Sequence, residues 1–209
     1  MLCQKLGVDP AESFGVFPAV GDPALPVRRE FGLRHRLDHF DMVNAAQVLL
    51  EYIRKLGDNL IIVSPDAGGT ERARAYAKRL GVGLAIVDKR REGPNKAHAM
   101  QLIGDVKGKI AIVLDDMIDT AGTMTEAGNM LAENGAEDVV ACASHAVLSG
   151  PAVERLNNSA FSQVIVTDTI PLSAQALSSE KFKVISVGSL IAKAIHNIHS
   201  ESSVSVLFS

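Results

Sequence analysis

The sequence predicts an α/β protein built on a doubly wound, mainly parallel sheet. Two observations predict it. Short runs rich in Val, Ile, Leu and Ala are apolar at successive positions, as in strands buried on both faces. Between them lie segments whose apolar residues recur at helical spacing. Strand and helix in alternation leave parallel pairing with crossover helices as the simplest topology.

The elements follow in order. "MVNAAQVLLEYIRKL" places Val43, Ala46, Leu49, Leu50 and Ile53 on one helical face, and Gly57 is positioned to stop the helix. "NLIIVS" (59–64) is a buried strand. "TERARAYAKRLG" (70–81) is a helix with a glycine at its end. "LAIVD" (84–88) is the next strand, and "KIAIVL" (109–114) follows after a polar connection. "TMTEAGNMLAENGA" (123–136) is a helix and "DVVACAS" (138–144) a strand. "PAVERLNN" (151–158) is a short helix, "QVIVTD" (163–168) a strand, "FKVISVG" (182–188) a strand and "SLIAKAIHNIH" (189–199) a helix. The tail "SVSVLFS" is expected to be extended. Residues 1–40 differ: Pro10, Pro18, Pro23 and Pro26 interrupt any periodicity, so an irregular N-terminal arm is expected before a domain over 41–209.

Composition narrows the function classes. A chain of 209 residues suits one domain, and 47% hydrophobic residues suffice for a core. A net charge of −3 gives no footprint for nucleic acid or an acidic membrane surface. No run approaches the roughly 20 apolar residues of a membrane span. Cys3 and Cys142 lie far apart with no metal-type spacing, as in a reduced, cytoplasmic setting.

In open α/β sheets ligands bind beyond the carboxyl ends of the strands, so the residues just after each strand are the candidates. "SPDAGGT" offers Ala67, Gly68 and Gly69 as a phosphate loop before a helix N-terminus, with Asp66 beside it as a ligand for a hard cation such as Mg²⁺. An ordinary strand–turn–helix corner with a solvated Asp66 also fits this stretch. "DKRREG" puts Lys89 and Arg91 on one side of an extended chain, as a phosphate clamp would, or as a solvated charge run. The following "REGPNKAH" reads as a mobile loop able to close over a site.

The sharpest signal is "IVLDDMIDTAGT". Asp115 and Asp116 end a central strand, and unpaired acids there cost stability. Asp119, Thr120, Ala121, Gly122 and Thr123 then form a turn whose N–H groups and hydroxyls suit a phosphate, with Asp119 bracing its own loop. A pentose 5-phosphate satisfies both halves: phosphate in the turn, vicinal hydroxyls facing the carboxylates, which accept from them directly or hold them through a cation. His145 reads as a structural histidine rather than a ligand.

These segments resemble the ribose-phosphate pyrophosphokinases (phosphoribosyl pyrophosphate synthetases). "IVLDDMIDTAGTM" is similar to that family's ribose 5-phosphate loop, "IVSPDAGGT" to its metal loop and "IVDKRREGPN" to its catalytic segment. The likeness continues through "GDVKGK", "ENGAEDVVACASHAVLSGPAVERLNNS" and "SVSVLFS", covering roughly residues 44–209. The resemblance implies a type I phosphoribosyltransferase-like fold and Mg²⁺-dependent transfer of pyrophosphate from ATP to ribose 5-phosphate. It implies Asp66 as a Mg²⁺ ligand, Lys89 and Arg91 as catalytic cations with Arg91 on the substrate side, and Asp115 with Asp119 to Thr123 as ribose 5-phosphate ligands. It also implies a homo-oligomer, or a full-length homologue as partner. The family's Arg-Gln-Asp and Phe-x-Asp-Gly-Glu runs are absent, and "FGLRHRLDHFDM" stands where an Asp-Leu-His element belongs. The ribose 5-phosphate site is therefore expected to be complete and the ATP site partial. A non-catalytic regulator that binds ribose 5-phosphate or nucleotide, and a phosphoribosyltransferase, are the alternative readings.

Overall fold

The structure is a computed structural model that describes residues 45–90 and 99–207. Helix α1 covers 45–53, and β1 (Leu60–Ser64) follows it. Next come α2 (Thr70–Leu80), β2 (Gly83–Arg90), β3 (Ala99–Ile103) and β4 (Ile110–Ile118). The second half contains α3 (Gly122–Glu133), β5 (Asp138–Ala146), α4 (Ala152–Asn157), β6 (Gln163–Thr167), α5 (Ala174–Leu177), β7 (Phe182–Ile185) and α6 (Gly188–His199). The expected arm over 1–40 lies outside the described residues.

The described strands form one seven-stranded sheet in the order β3-β2-β1-β4-β5-β6-β7. Every neighbouring pair is parallel except β2 with β3, which is antiparallel. Residues alternate between faces along a strand, and two cores result. Ile61, Val63, Ala111, Val113, Val139 and Ala141 pack with Met124, Ala127 and Leu131 of α3 and Leu156 of α4. Leu60, Ile62, Ile112, Leu114, Val140 and Cys142 pack with Leu49 and Ile53 of α1 and Ala73 and Tyr76 of α2. Each fully buried Val, Leu or Ile among them contributes about 1.5–3 kcal/mol. That is why the central strands are apolar at successive positions, and why the sheet is doubly wound as expected. Gly81 closes α2 in the left-handed conformation (φ 72°), its N–H reaching the Ala77 and Lys78 carbonyls.

Four details differ from the sequence reading. Residues 99–103, within the expected polar connection, form the antiparallel edge strand β3. The apolar alternation there is too short to announce a strand without its partner, β2. Residues 174–177 add the single-turn helix α5, which Ser173 caps by accepting the Ala176 N–H. The tail holds a 3₁₀ turn at Ser205–Leu207 rather than an extended piece. Finally, β4 does not stop at Leu114 but runs on to Ile118.

This last difference positions the site. The pairing of β1 with β4 ends at Val63 opposite Val113, whereas β4 pairs with β5 as far as Ile118 opposite Ala146. Residues 115–118 thus outrun β1, leaving one side of β4 facing a crevice. The strand order also reverses there: from β1 the chain leaves toward β2 and later returns to β4 on the other side. Such a switch point is where open α/β sheets bind ligands.

Candidate active site

Two segments flank the crevice: the turn 65–69 after β1, and the end of β4 with the turn that follows. In the first, Ser64 is fully buried and its hydroxyl donates to the Asp66 carbonyl at 2.6 Å. The Gly69 N–H donates to Asp66 Oδ1 at 2.9 Å, and Thr70 Oγ1 donates to the Ala67 carbonyl at 2.9 Å. The turn is wound too tightly for a side chain at Gly69: a Cβ there would lie 2.8 Å from Ser64 Oγ. Ala67 and Gly68 are exposed beside it. Helix α2 begins with no side-chain cap, so N–H groups of its first turn are open to an anion.

Asp115 and Asp116 stand inside β4, not after it. Adjacent strand residues normally face opposite ways, yet both carboxylates meet one guanidinium. Arg72 Nη1 donates to Asp115 Oδ1 and Nη2 to Asp116 Oδ2, each at 2.8 Å. The Asp116 N–H also donates to Asp115 Oδ1 at 2.8 Å, and the Met117 N–H to Asp116 Oδ1 at 2.9 Å. Burial pushes the Asp115 carboxyl up to about 6, with the Asp116 carboxylate adding to the rise and the Asp116 N–H and Arg72 opposing it. Asp116 is held below the usual carboxylate range. Its partial burial works upward, but the bonds from Asp115, Arg72 and the Met117 N–H outweigh it. Two adjacent acids with unequal proton affinities share one fixed cation, which is how a buried acidic pair stays tolerable.

The turn after β4 holds Asp119 to Thr123. Its left-handed residue is Ala121 (φ 61°), the N-cap of α3, and not the adjacent Gly122. An alanine there costs on the order of 1 kcal/mol, so surrounding contacts must impose it. They do: Arg155 Nη1 donates to the Thr120 carbonyl at 2.9 Å, the Ser149 N–H to the Asp119 carbonyl at 3.0 Å, and Thr125 Oγ1 to the Ala121 carbonyl at 2.9 Å. The expected bracing by the Asp119 carboxylate is not found. That side chain is exposed and accepts no hydrogen bond among the described residues; the bracing comes from α4 and α3 instead. Helix α3 has neither a capping side chain nor an acidic residue in its first turn, leaving a positive helix end toward the crevice.

Of the remaining expected residues, Lys89 stands in β2 opposite Met100 of β3. Arg91 and the segment to residue 98, expected as a closing loop, lie outside the described residues. His145 is structural as read: its Nδ1 lies 2.9 Å from Thr169 Oγ1, which donates to the Ser144 carbonyl. Sequence reasoning missed Arg72 and Arg155. Arg155 sat in a helix with no chemistry assigned. Arg72 did carry a signal, because a cation in the first turn of a helix opposes the helix dipole.

Fold and site together define a doubly wound α/β protein with a turn leading into an uncapped helix start and a braced acid pair at its switch point. The phosphoribosyl synthetase-associated domain family matches residues 89–209. The ribose-phosphate pyrophosphokinase of Gloeobacter violaceus is 53% identical over 175 residues, covering 82% of this chain and 51% of that protein. That of Bacillus subtilis is 51% identical over 170 residues, covering 81% and 53%. The solved phosphoribosylpyrophosphate synthetase from Mycobacterium smegmatis has a TM-score of 0.69 at 38% identity, over 76% of this chain and 51% of that one. The chain belongs to the ribose-phosphate pyrophosphokinase family, and it spans about half the length of the curated relatives it matches. Among the described residues, no helix is long and apolar enough to cross a membrane.

Proposed function

We propose that this chain binds ribose 5-phosphate and serves the transfer of pyrophosphate from ATP to its 1-hydroxyl. The observation that carries the reading is the pairing, on consecutive residues of one strand and turn, of a braced acid pair with an uncapped helix N-terminus. The 5-phosphate takes N–H groups at the start of α3 and the hydroxyls of Thr120 and Thr123. Asp115 and Asp116 accept from the vicinal hydroxyls. With both ends held, the sugar oxygen at C1 attacks the β-phosphorus of ATP. A new O–P bond forms as the hydroxyl proton passes to solvent, the bond between the β-phosphorus and the α,β-bridging oxygen breaks, and AMP leaves with that oxygen. Lys89 and Arg91 offset the charge that develops on the phosphates.

The acid content suits Mg²⁺ held mainly by substrate. The described residues contain no group of three or more candidate ligands. Asp66 commits Oδ1 to the Gly69 N–H, and its other oxygen has no protein partner among them. One carboxylate with substrate phosphates and water is an ordinary Mg²⁺ set. When bound, the ion would neutralise phosphate charge beside the 67–69 turn. A second copy, or a full-length homologue, would complete the ATP site, in a cytoplasmic setting.

The test is to incubate the purified chain with ribose 5-phosphate, ATP and Mg²⁺, alone and with a full-length relative that is inactivated in its own turn. AMP and the 1-pyrophosphorylated sugar are the expected products. Absence of AMP in both mixtures, with ribose 5-phosphate still bound in calorimetry, would leave a binding, non-catalytic homologue.

A further inference from the structure

We propose that Arg72 is the positioning residue that makes this site select a sugar phosphate with two adjacent hydroxyls, an inference that rests on the ribose 5-phosphate reading above. The geometry is specific. One guanidinium spans two different carboxylates, one nitrogen to each, at 2.8 Å. Its remaining nitrogen, Nε, is buried and has no hydrogen-bond partner among the described residues. The side chain is therefore oriented to serve the acid pair and not to satisfy its own donors. Arg72 also links the two halves of the site. It projects from the first turn of α2, directly after the glycine turn, and Nη1 lies 3.9 Å from where a Gly69 Cβ would be.

The physical consequence has two parts. Position is the first. A planar, permanently charged fork fixes Asp115 Oδ1 and Asp116 Oδ2 relative to each other. Asp115 Oδ2 and the second lone pair of Asp116 Oδ2 then form a rigid pair of acceptors, since Asp115 Oδ1 already accepts from both Arg72 and the Asp116 N–H. Rigid acceptors discriminate between one hydroxyl and two. Charge is the second. Without Arg72 the pair would present two unscreened carboxylates to a ligand whose phosphate is a dianion, and they would repel both it and each other. A lysine would restore the charge but, as a compact point charge, could not hold both carboxylates in register.

The experiment compares ribose 5-phosphate, 2-deoxyribose 5-phosphate and inorganic phosphate by calorimetric titration of wild type, Arg72→Lys and Arg72→Met. Wild type should prefer ribose 5-phosphate over the deoxy sugar by about tenfold or more, the value of a charge-assisted hydrogen bond. In R72K that preference should collapse to within about threefold, while inorganic phosphate binds within about threefold of wild type, as expected when the phosphate turn is untouched. R72M should lose the preference and also bind both sugar phosphates more weakly. A merely structural role would weaken all three ligands together and leave the ratio intact; that result in R72K overturns the proposal. If wild type binds neither sugar phosphate, the ribose 5-phosphate reading fails and this inference falls with it. Binding with an unchanged ratio in R72K defeats the inference alone.

Discussion

Asp115 is a stability cost kept where β4 outruns β1 at the switch point. Burial raises its carboxyl from 3.8 to about 6, so between those values the folded chain holds a proton that the unfolded chain has released. Stability owed to this group falls as pH rises from about 4 to 6 and stays low above that. The measurement is denaturant unfolding of wild type and Asp115→Asn across pH 4–8. The stability of wild type relative to the variant should decline through that window and then flatten; a rising difference would show that Arg72 outweighs burial. On the proposed reading the same carboxylate accepts sugar hydroxyls, so the cost and the proposed function share one cause. Gly69 is a second case at this scale. An alanine there would put its Cβ 2.8 Å from the buried Ser64 Oγ, displacing the hydroxyl that holds the Asp66 carbonyl. Gly69→Ala should weaken Mg²⁺-dependent nucleotide binding, read by titration, more than it weakens ribose 5-phosphate. Asp66, Asp115, Asp116 and the 119–123 turn were legible in the sequence as candidates because Asp, Gly and Thr cluster directly after apolar strands. Arg72 was not: its place in the first turn of α2, against the helix dipole, was its one signal, and that gains meaning only once the acids across the switch point are seen.

At the scale of elements, strands and helices were readable wherever one period persisted, as in β1, β4 and α2. What the sequence hid depended on partners. β3 exists because β2 runs on to Arg90 and offers it an antiparallel edge, and β4 reaches Ile118 because β5 pairs with it that far. The turn after β4 likewise takes its shape from α4, through Arg155. Helix α3 offers a sharper test. Gly128 is buried in it, and a Cβ there would sit 2.6 Å from Cζ of the fully buried Phe161. Alanine would gain up to about 1 kcal/mol in helix propensity over glycine. Overpacking of a closed core costs about 1–3 kcal/mol, and an aromatic ring with its edge against a helix backbone cannot swing aside cheaply. Gly128→Ala should therefore destabilise by about 1–2 kcal/mol in urea unfolding. The double variant with Phe161→Leu should be less destabilised than the sum of the two single changes. Additivity would mean that the glycine is not there for the ring.

At the scale of the whole domain, the two cores meet only through the central sheet, and Cys142 lies in the middle of it. It is on β5, between β4 and β6, with its side chain in the core that α1 and α2 cover. The thiol is fully buried, and burial pushes it up to about 12. It can react only when the sheet opens, so its labelling rate reports global opening rather than local fraying. A ligand bound at the strand ends stabilises the closed sheet by mass action, and at a concentration 100 times its Kd this amounts to about 2.7 kcal/mol. Where opening and closing are fast relative to labelling, alkylation of Cys142, followed by peptide mass, should therefore slow about a hundredfold in saturating ribose 5-phosphate. Asp115→Asn should reduce that protection in proportion to its lost affinity. Labelling at the rate of a free thiol, with or without the sugar, would mean that the switch point and the core do not open as one unit. The site would then be a local device on a looser domain, and the strain at Ala121 would have to be held by the turn's own contacts and not by the sheet.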